Sequence, residues 1–399
     1  MKRFAVTAAL AALGVFVVAG GTASAHDRGH DRDGRTLWAS PHGGGASCSK
    51  FFPCSLSTAV SKAQAGNTVI ALPGVYQGGV VLDKQIKLRG VGAVIDASSS
   101  STGNGVQIVG PGGSGSSVEG FKIENAKFEA ILVGTAPVAT TTNDGTPVTS
   151  GQPVSDVRID HNTIVKNDAG FGTTAGQCFS TPQAPGDCGE AIHLVSVTDS
   201  VVSDNYVANN AGGILLTDEF GPTSYNVIRH NVSINNTDDC GITLASHATD
   251  GGQVSAAVDP TTLQPTGAAG VFDNLIEDNV ATGNGVAGQG AGILMGGGAP
   301  FAGVYGNVIR RNFTRGNGLA GVTLHQHLVG DLNGNVIENN TLVHDNVDGD
   351  FDFAAAAANP TTGILVASGS PPGPALPPFL VPGPIKNTVI RGNRIFDVT

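Results

Sequence analysis

Apolar residues in this chain come in short bursts. Pairs of strand-like stretches rich in Val and Ile are separated by Asn and Gly, and no long segment keeps a helical apolar period. One phrase ending in asparagine occurs seven times: VRIDHN (157–162), VVSDN (201–205), NVIRHN (226–231), NLIEDN (274–279), NVIRRN (307–312), NVIENN (335–340) and TVIRGN (388–393). After six of them comes a strand reading roughly GIxL. A fixed phrase returning at irregular intervals of a few tens of residues predicts a solenoid whose coils carry insertions. The one helical candidate is 55–65, with Ser55 or Ser57 as N-cap and Leu56, Ala59, Val60 and Ala63 on one face. It is expected to cover the open first coil.

Coils of parallel strands stack about 4.8 Å apart, so equivalent residues form columns. One column is Asn162, Asn205, Asn231, Asn279, Asn312, Asn340 and Asn393. A second is Asn167, Asn210, Asn236, Asn284 and Asn317, with Asn346 one residue out of step. Amides both donate and accept, so stacked Asn side chains can bond one another and the turn backbone. These asparagines are assigned to structure. So are two columns of alternating charge, Arg229, Glu277, Arg310, Glu338, Arg391 and His161, Asp204, His230, Asp278, Arg311, expected on a solvated outer face.

The NVIRxN…N…GIxL phrase resembles the parallel β-helix repeat of the pectin-lyase-like superfamily, including the NosD-like proteins, over about residues 55–399. The stretch 55–98, with GNTV and PGVY, is similar to the usual start of that fold. The resemblance implies an all-β, single-stranded right-handed parallel β-helix with loop insertions and a short N-terminal capping helix. It leaves the activity open, because the superfamily holds lyases, hydrolases and epimerases of acidic polysaccharides beside members without known activity.

Three segments are expected: a signal peptide at 1–25, a disordered Gly-rich stretch at 26–47, and a β-helix domain at 48–399. Lys2 and Arg3, the apolar run 4–19 and Ala23-Ser24-Ala25 give the first its character, placing the protein outside the cytoplasm, secreted or periplasmic. No other apolar run has the 18 or so residues a transmembrane span needs. The net charge is −11, and loss of Lys2 and Arg3 makes it −13 (−11 − 2), which argues against nucleic acid as a partner. The same charge would repel an acidic polymer unless cations or local Arg and Lys intervene. Five cysteines suggest two bridges, Cys48 with Cys54 and Cys178 with Cys188, leaving Cys240 as a buried free thiol.

Insertions at 134–155, 217–224, 246–269, 296–305 and 367–385 all leave after the GIxL strand, so they should wall a groove along one edge. Polar groups concentrate at that end. Counting from the start of each strand, Glu219, His247, Gly298 and His327 share a column, Thr217 and His325 share another, and Asp218 and His193 lie nearby. Glu219 and His247 should be one coil apart and His247 and His327 two, about 5 and 10 Å. An imidazole there can take the proton alpha to a uronate carboxylate or deliver one to a leaving oxygen. The catalytic candidates are therefore Glu219, His247, His325, His327, Asp218 and His193, with Arg315, Tyr225 and Tyr305 for substrate binding. The DPHD motif of alginate epimerases, which the resemblance would place at this strand end, is missing, as is the acidic calcium cluster of the calcium-dependent lyases.

The expected function is that of a secreted polysaccharide-active protein, a lyase, epimerase or hydrolase whose partner is a polysaccharide. The alternative is a non-catalytic scaffold, adhesin-like or a NosD-like metal-handling accessory. HxH in a strand points both rings to one side and suits a metal as well as a sugar. No cofactor is fixed by the sequence, a divalent cation such as calcium being the candidate, and the metal ligands and oligomeric state are left open.

Overall fold

The computed structural model describes residues 34–134, 153–169, 189–248, 254–287, 290–347, 363–369 and 380–396. The expected signal peptide at 1–25 and the expected Cys178–Cys188 bridge lie outside them. The strands form sheets of nineteen, nine and six strands whose strand-to-strand pairings are parallel. The chain is thus an all-β solenoid, a parallel β-helix. No helix among the described residues is long and apolar enough to cross a membrane.

The coils stack in register because each rung repeats the same inward residues. In the nineteen-stranded sheet, Ile159, Val202, Ile228, Ile276, Ile309 and Ile337 lie directly above one another, all buried. In the nine-stranded sheet the inward rows are Ile192, Ile214, Ile242, Ile293, Val322 and Leu194, Leu216, Leu244, Met295, Leu324. Each side chain in these rows removes most of its apolar area from water, about 1.5–3 kcal/mol apiece.

The corners are held by asparagines. The first column is a continuous ladder from Asn162 to Asn393, each Nδ2 donating to the next Oδ1 at 2.9–3.1 Å. Each Oδ1 also accepts the backbone N–H of the asparagine one coil back. The second ladder runs from Asn167 to Asn317 and then departs from expectation. Its next rung is Asp345, whose Oδ1 accepts both Asn317 N–H at 3.1 Å and Asn317 Nδ2 at 2.7 Å. Asn346 is not that rung, because only a side chain at 345 follows the left-handed residue His344 as Asn317 follows Gly316. A third ladder, unanticipated, joins Asn226, Asn274, Asn307 and Asn335.

Left-handed backbone precedes these asparagines. His161, Asp204, His230, Asp278, Arg311 and Asn339 all have φ between 54° and 58°. Those residues sit at turns, where Arg311 pairs with Asp278 at 2.8 Å; the column before them ends the strands and alternates likewise, Arg310 meeting Glu277 at 2.8 Å and Arg391 meeting Glu338 at 2.7 Å.

At the N-terminal end the helix is Leu56–Lys62, capped by Ser55, which accepts Thr58 N–H at 3.2 Å, and it buries Leu56, Ala59 and Val60. Cys48 and Cys54 are bridged, and Cys240 is a buried free thiol. The stretch expected to be disordered contains a strand, Thr36–Ala39, paired with Asn67–Ala71. Leu37 and Ala39 alternate inward there and start the core one rung earlier than the boundary at 48 implied.

Candidate functional site

The nine-stranded sheet turns its alternate residues outward, and the candidates stand at its downstream end. Register places Ala245, Gly296, His325 and Ala367 in one row and Ser246, Gly297, Gln326 and Ser368 in the next. One residue further on, His247 lies beside Gly298: a Cβ at Gly298 would stand 3.6 Å from His247 Cδ2. The rung 296–298 is therefore glycine throughout, flanked by His247 on one side and His325 and His327 on the other. A Cβ at Gly296 would stand 2.8 Å from His325 Nε2, so that imidazole occupies the space over the bare rung.

Glu219 and His247 form a buried pair, Nδ1 to Oε1 2.7 Å. Burial works to raise the Glu219 carboxyl, but the His247 charge and hydrogen bond outweigh it and hold the acid below its usual range. With Nδ1–H donated to Glu219, the basic lone pair of His247 resides on Nε2.

Asp218 points the other way, into the corner between sheets. It accepts from Ser246 Oγ at 2.8 Å, His247 N–H at 2.7 Å and Gly270 N–H at 2.6 Å. Burial, followed by the neighbouring Glu219 charge, pushes its carboxyl up to about 7 against those hydrogen bonds. Asp218 thus ties three segments of the corner and fixes the backbone from which His247 projects.

His325 and His327 are half-buried, their ring centroids 4.9 Å apart at 61°. Burial and then the His327 charge push His325 down to about 3, and burial lowers His327 as well. Both are neutral imidazoles at physiological pH. His193 is fully buried on the same outward face, further upstream. Its Nε2 lies 2.9 Å from Thr217 Oγ1 and its Nδ1 3.6 Å from Glu129 Oε1. Glu129, for which no sequence signal exists, has its carboxyl raised by burial.

Tyr225 and Tyr305 join Phe272 in an aromatic row on the six-stranded sheet's side of the corner. Phe272 stacks on Tyr305 at 4.8 Å and meets Tyr225 edge-on at 6.1 Å. Tyr225 is exposed. Arg315 is not part of this assembly: it lies in the nineteen-stranded sheet between Thr282 and Val343. Of the expected wall, 217–224 and 296–305 are described in full and 246–269 in part; most of 134–155 and of 367–385 lies outside the described residues.

Comparison with solved structures finds an alginate lyase from Paenibacillus sp. str. FPU-7 (15% identity, 90% of this chain and 95% of that one, TM-score 0.49). It also finds pectate lyase Pel9A (15% identity, 86% and 82%, TM-score 0.44). A third is the A-module of the Azotobacter vinelandii mannuronan C-5 epimerase AlgE6 (12% identity, 86% and 96%, TM-score 0.42). No curated protein matches the chain in sequence. The family model described as periplasmic copper-binding protein (NosD) matches residues 84–307, more than half of the chain, and this laddered β-helix belongs to that family.

Proposed function

We propose that the protein acts on an acidic polysaccharide laid across the glycine rung 296–298, with His247 as the proton-transferring group. The observation that carries this reading is the buried Glu219–His247 pair, 2.7 Å apart, at the edge of a rung without side chains. Glu219 fixes the tautomer and stabilises the imidazolium, and His247 Nε2 takes the proton at C5 of a uronate. In elimination the C4–O bond breaks, the leaving oxygen takes the proton back from the His247 imidazolium, and a C4–C5 double bond remains; protonation of C5 by water on the opposite face instead gives the epimer. His325 and His327, kept uncharged, offer hydrogen bonds to the sugar without adding charge. The aromatic row of Tyr225, Phe272 and Tyr305 supplies a stacking surface beside the corner.

Copper is named in the family description, and a resident copper would need a set of converging donor side chains. His325 and His327 supply two neutral imidazoles, the form a metal requires. Among the described residues, however, no three His, Cys, Asp or Glu gather in a way that could hold an ion. Two ligands do not fit a resident copper site.

The test is a screen of purified protein against pectate, alginate, glycosaminoglycans and neutral glycans, with calcium or with EDTA. Ultraviolet absorbance of unsaturated ends, reducing ends and the C5 configuration by NMR are followed together. Turnover that disappears in His247→Ala and Glu219→Gln supports the reading. Turnover unaffected by both substitutions refutes it and assigns the chemistry to other residues, and no turnover on any readout refutes it in favour of a binding scaffold.

A further inference from the structure

A second feature lies at a different corner, where the nineteen-stranded sheet turns toward the start of the nine-stranded one. A cleft of about 830 Å³ opens there, lined among others by Ser98, Asn125, Lys127, Lys166, Asp168 and Asn209. That volume lies within the ~300–1,000 Å³ of ligand clefts. Its walls come from successive coils: Asn125 N–H donates to Lys166 O at 3.1 Å and Lys166 N–H to Asn209 O at 3.0 Å. All three residues have left-handed backbone, φ 62°, 63° and 56°, the conformation that precedes the inward ladder residue. Their side chains consequently leave the corner on the outer side.

The cleft keeps two basic groups in a chain that carries −11 and neutralises some of its other cations in place. Arg89, Lys122, Arg158, Arg310, Arg311 and Arg391 each meet a carboxylate in an ion pair. Lys127 and Lys166 meet none among the described residues, although Asp168 lines the same cleft. Lys127 instead holds its ammonium 5.0 Å over the Phe128 ring, a contact that orients it without cancelling its charge. Asn125 is fixed as well, its Nδ2 donating to Asp96 Oδ1 at 3.1 Å. Two ammonium groups, two amides, a hydroxyl and a carboxylate around one cleft form a surface that recognises a carboxylated sugar. The lysines pair with the carboxylate, and the amides, Ser98 and Asp168 meet the ring hydroxyls.

We infer that this cleft is an anionic-sugar subsite, taking a uronate unit of a polysaccharide through Lys127 and Lys166. Its ligand class rests on the polysaccharide reading above, but its occupancy does not depend on the chemistry of Glu219 and His247. It supplies the local cations that an acidic chain needs to hold an acidic polymer, which the glycine rung with its neighbouring carboxylates lacks.

Equilibrium binding of tetragalacturonate and tetramannuronate to the whole protein tests the proposal, with cellotetraose as the neutral probe. The wild type should bind at least one uronate probe with an affinity that falls as salt rises, and cellotetraose should not bind. Lys127→Glu/Lys166→Glu should weaken uronate binding by about tenfold or more, and Lys127→Arg/Lys166→Arg should retain it. Both side chains are exposed, and far-ultraviolet circular dichroism checks that each variant is folded. Binding unchanged by the Glu pair, equal binding of cellotetraose, or no uronate binding by the wild type overturns the inference. His247→Ala separates the two proposals. Loss of turnover there with binding insensitive to the lysines leaves only the catalytic reading standing, whereas charge-dependent binding without any turnover leaves only the cleft.

Discussion

Asp345→Asn should make the protein more stable at pH 8 and leave it unchanged at pH 4. Asp345 is 2% exposed and occupies a ladder rung that the earlier coils fill with asparagine. Burial, against hydrogen bonds from Thr314 and Asn317, pushes its carboxyl up to about 6 from 3.8. A carboxyl whose folded value lies above its unfolded value is stabilising while protonated in both states, below about pH 4. That contribution is lost as the pH rises through about 6. At ~1.4 kcal/mol per pH unit, the separation corresponds to about 3 kcal/mol of destabilisation at pH 8.

Asparagine removes the charge and keeps the geometry. Its Oδ1 still accepts from Asn317 N–H and Nδ2–H, and its Nδ2 faces Thr314 Oγ1, 2.7 Å away, which changes from donor to acceptor by rotating its hydroxyl. Urea denaturation of both proteins at pH 4, 6 and 8, with free energies from linear extrapolation, measures the difference. The variant should gain up to about 3 kcal/mol at pH 8 and have a shallower decline between pH 4 and 6. Equal stability at pH 8, or parallel pH profiles, would refute the view that a buried carboxylate weakens this rung.

Asn279→Ala should cost about 3 kcal/mol or more by denaturation, because Asn231 N–H and Nδ2–H, Ile228 O and Asn312 Oδ1 all lose a buried partner. Asn393→Ala, at a half-buried rung where water can substitute, should cost less than about 1 kcal/mol, and similar costs at the two positions would contradict the ladder account. Asp218, raised to about 7 by burial, adds a further loss of stability as the pH climbs from about 4 to 7. Asp218→Asn should flatten that part of the profile while costing about 1–3 kcal/mol at pH 4, since an amide N–H would confront a donor at Gly270 or Ser246; an unchanged slope would be the failing result. Gly296→Ala places a methyl 2.8 Å from His325 Nε2 and should displace that ring, cutting turnover or glycan binding about tenfold with the melting temperature nearly kept. Full function in that variant would mean the bare rung is not used.

How far the sequence disclosed all this follows from what stacking preserves. A column is legible when identical residues recur in one phrase, so the ladder through Asn162, Asn231 and Asn279 could be read by counting. Counting residue types fails where chemistry substitutes for identity: Asp345 offers the same acceptor oxygen as an asparagine, and Asn346 looked like the nearer match. The third ladder is hidden because its Asn opens NVIRHN and NLIEDN instead of closing them, at a corner that turns it inward. Glu219 and His247 could be counted into one column because each lies within two residues of the end of its GIxL strand, before the insertion has shifted the register. Arg315 stands outside the alternating-charge columns, but its strand belongs to the nineteen-stranded sheet and not to the sheet that carries His325. Glu129 and the Lys127–Lys166 cleft had no signal at all: Glu129 and Lys127 come from a rung that does not spell the phrase, and Lys166 from a corner position that shares its backbone conformation with Asn125 and Asn209 without sharing a residue. Recognition in such a solenoid is therefore least visible where side chains leave the corners outward, because the ladder constrains the inward residue and leaves its left-handed neighbour free to vary.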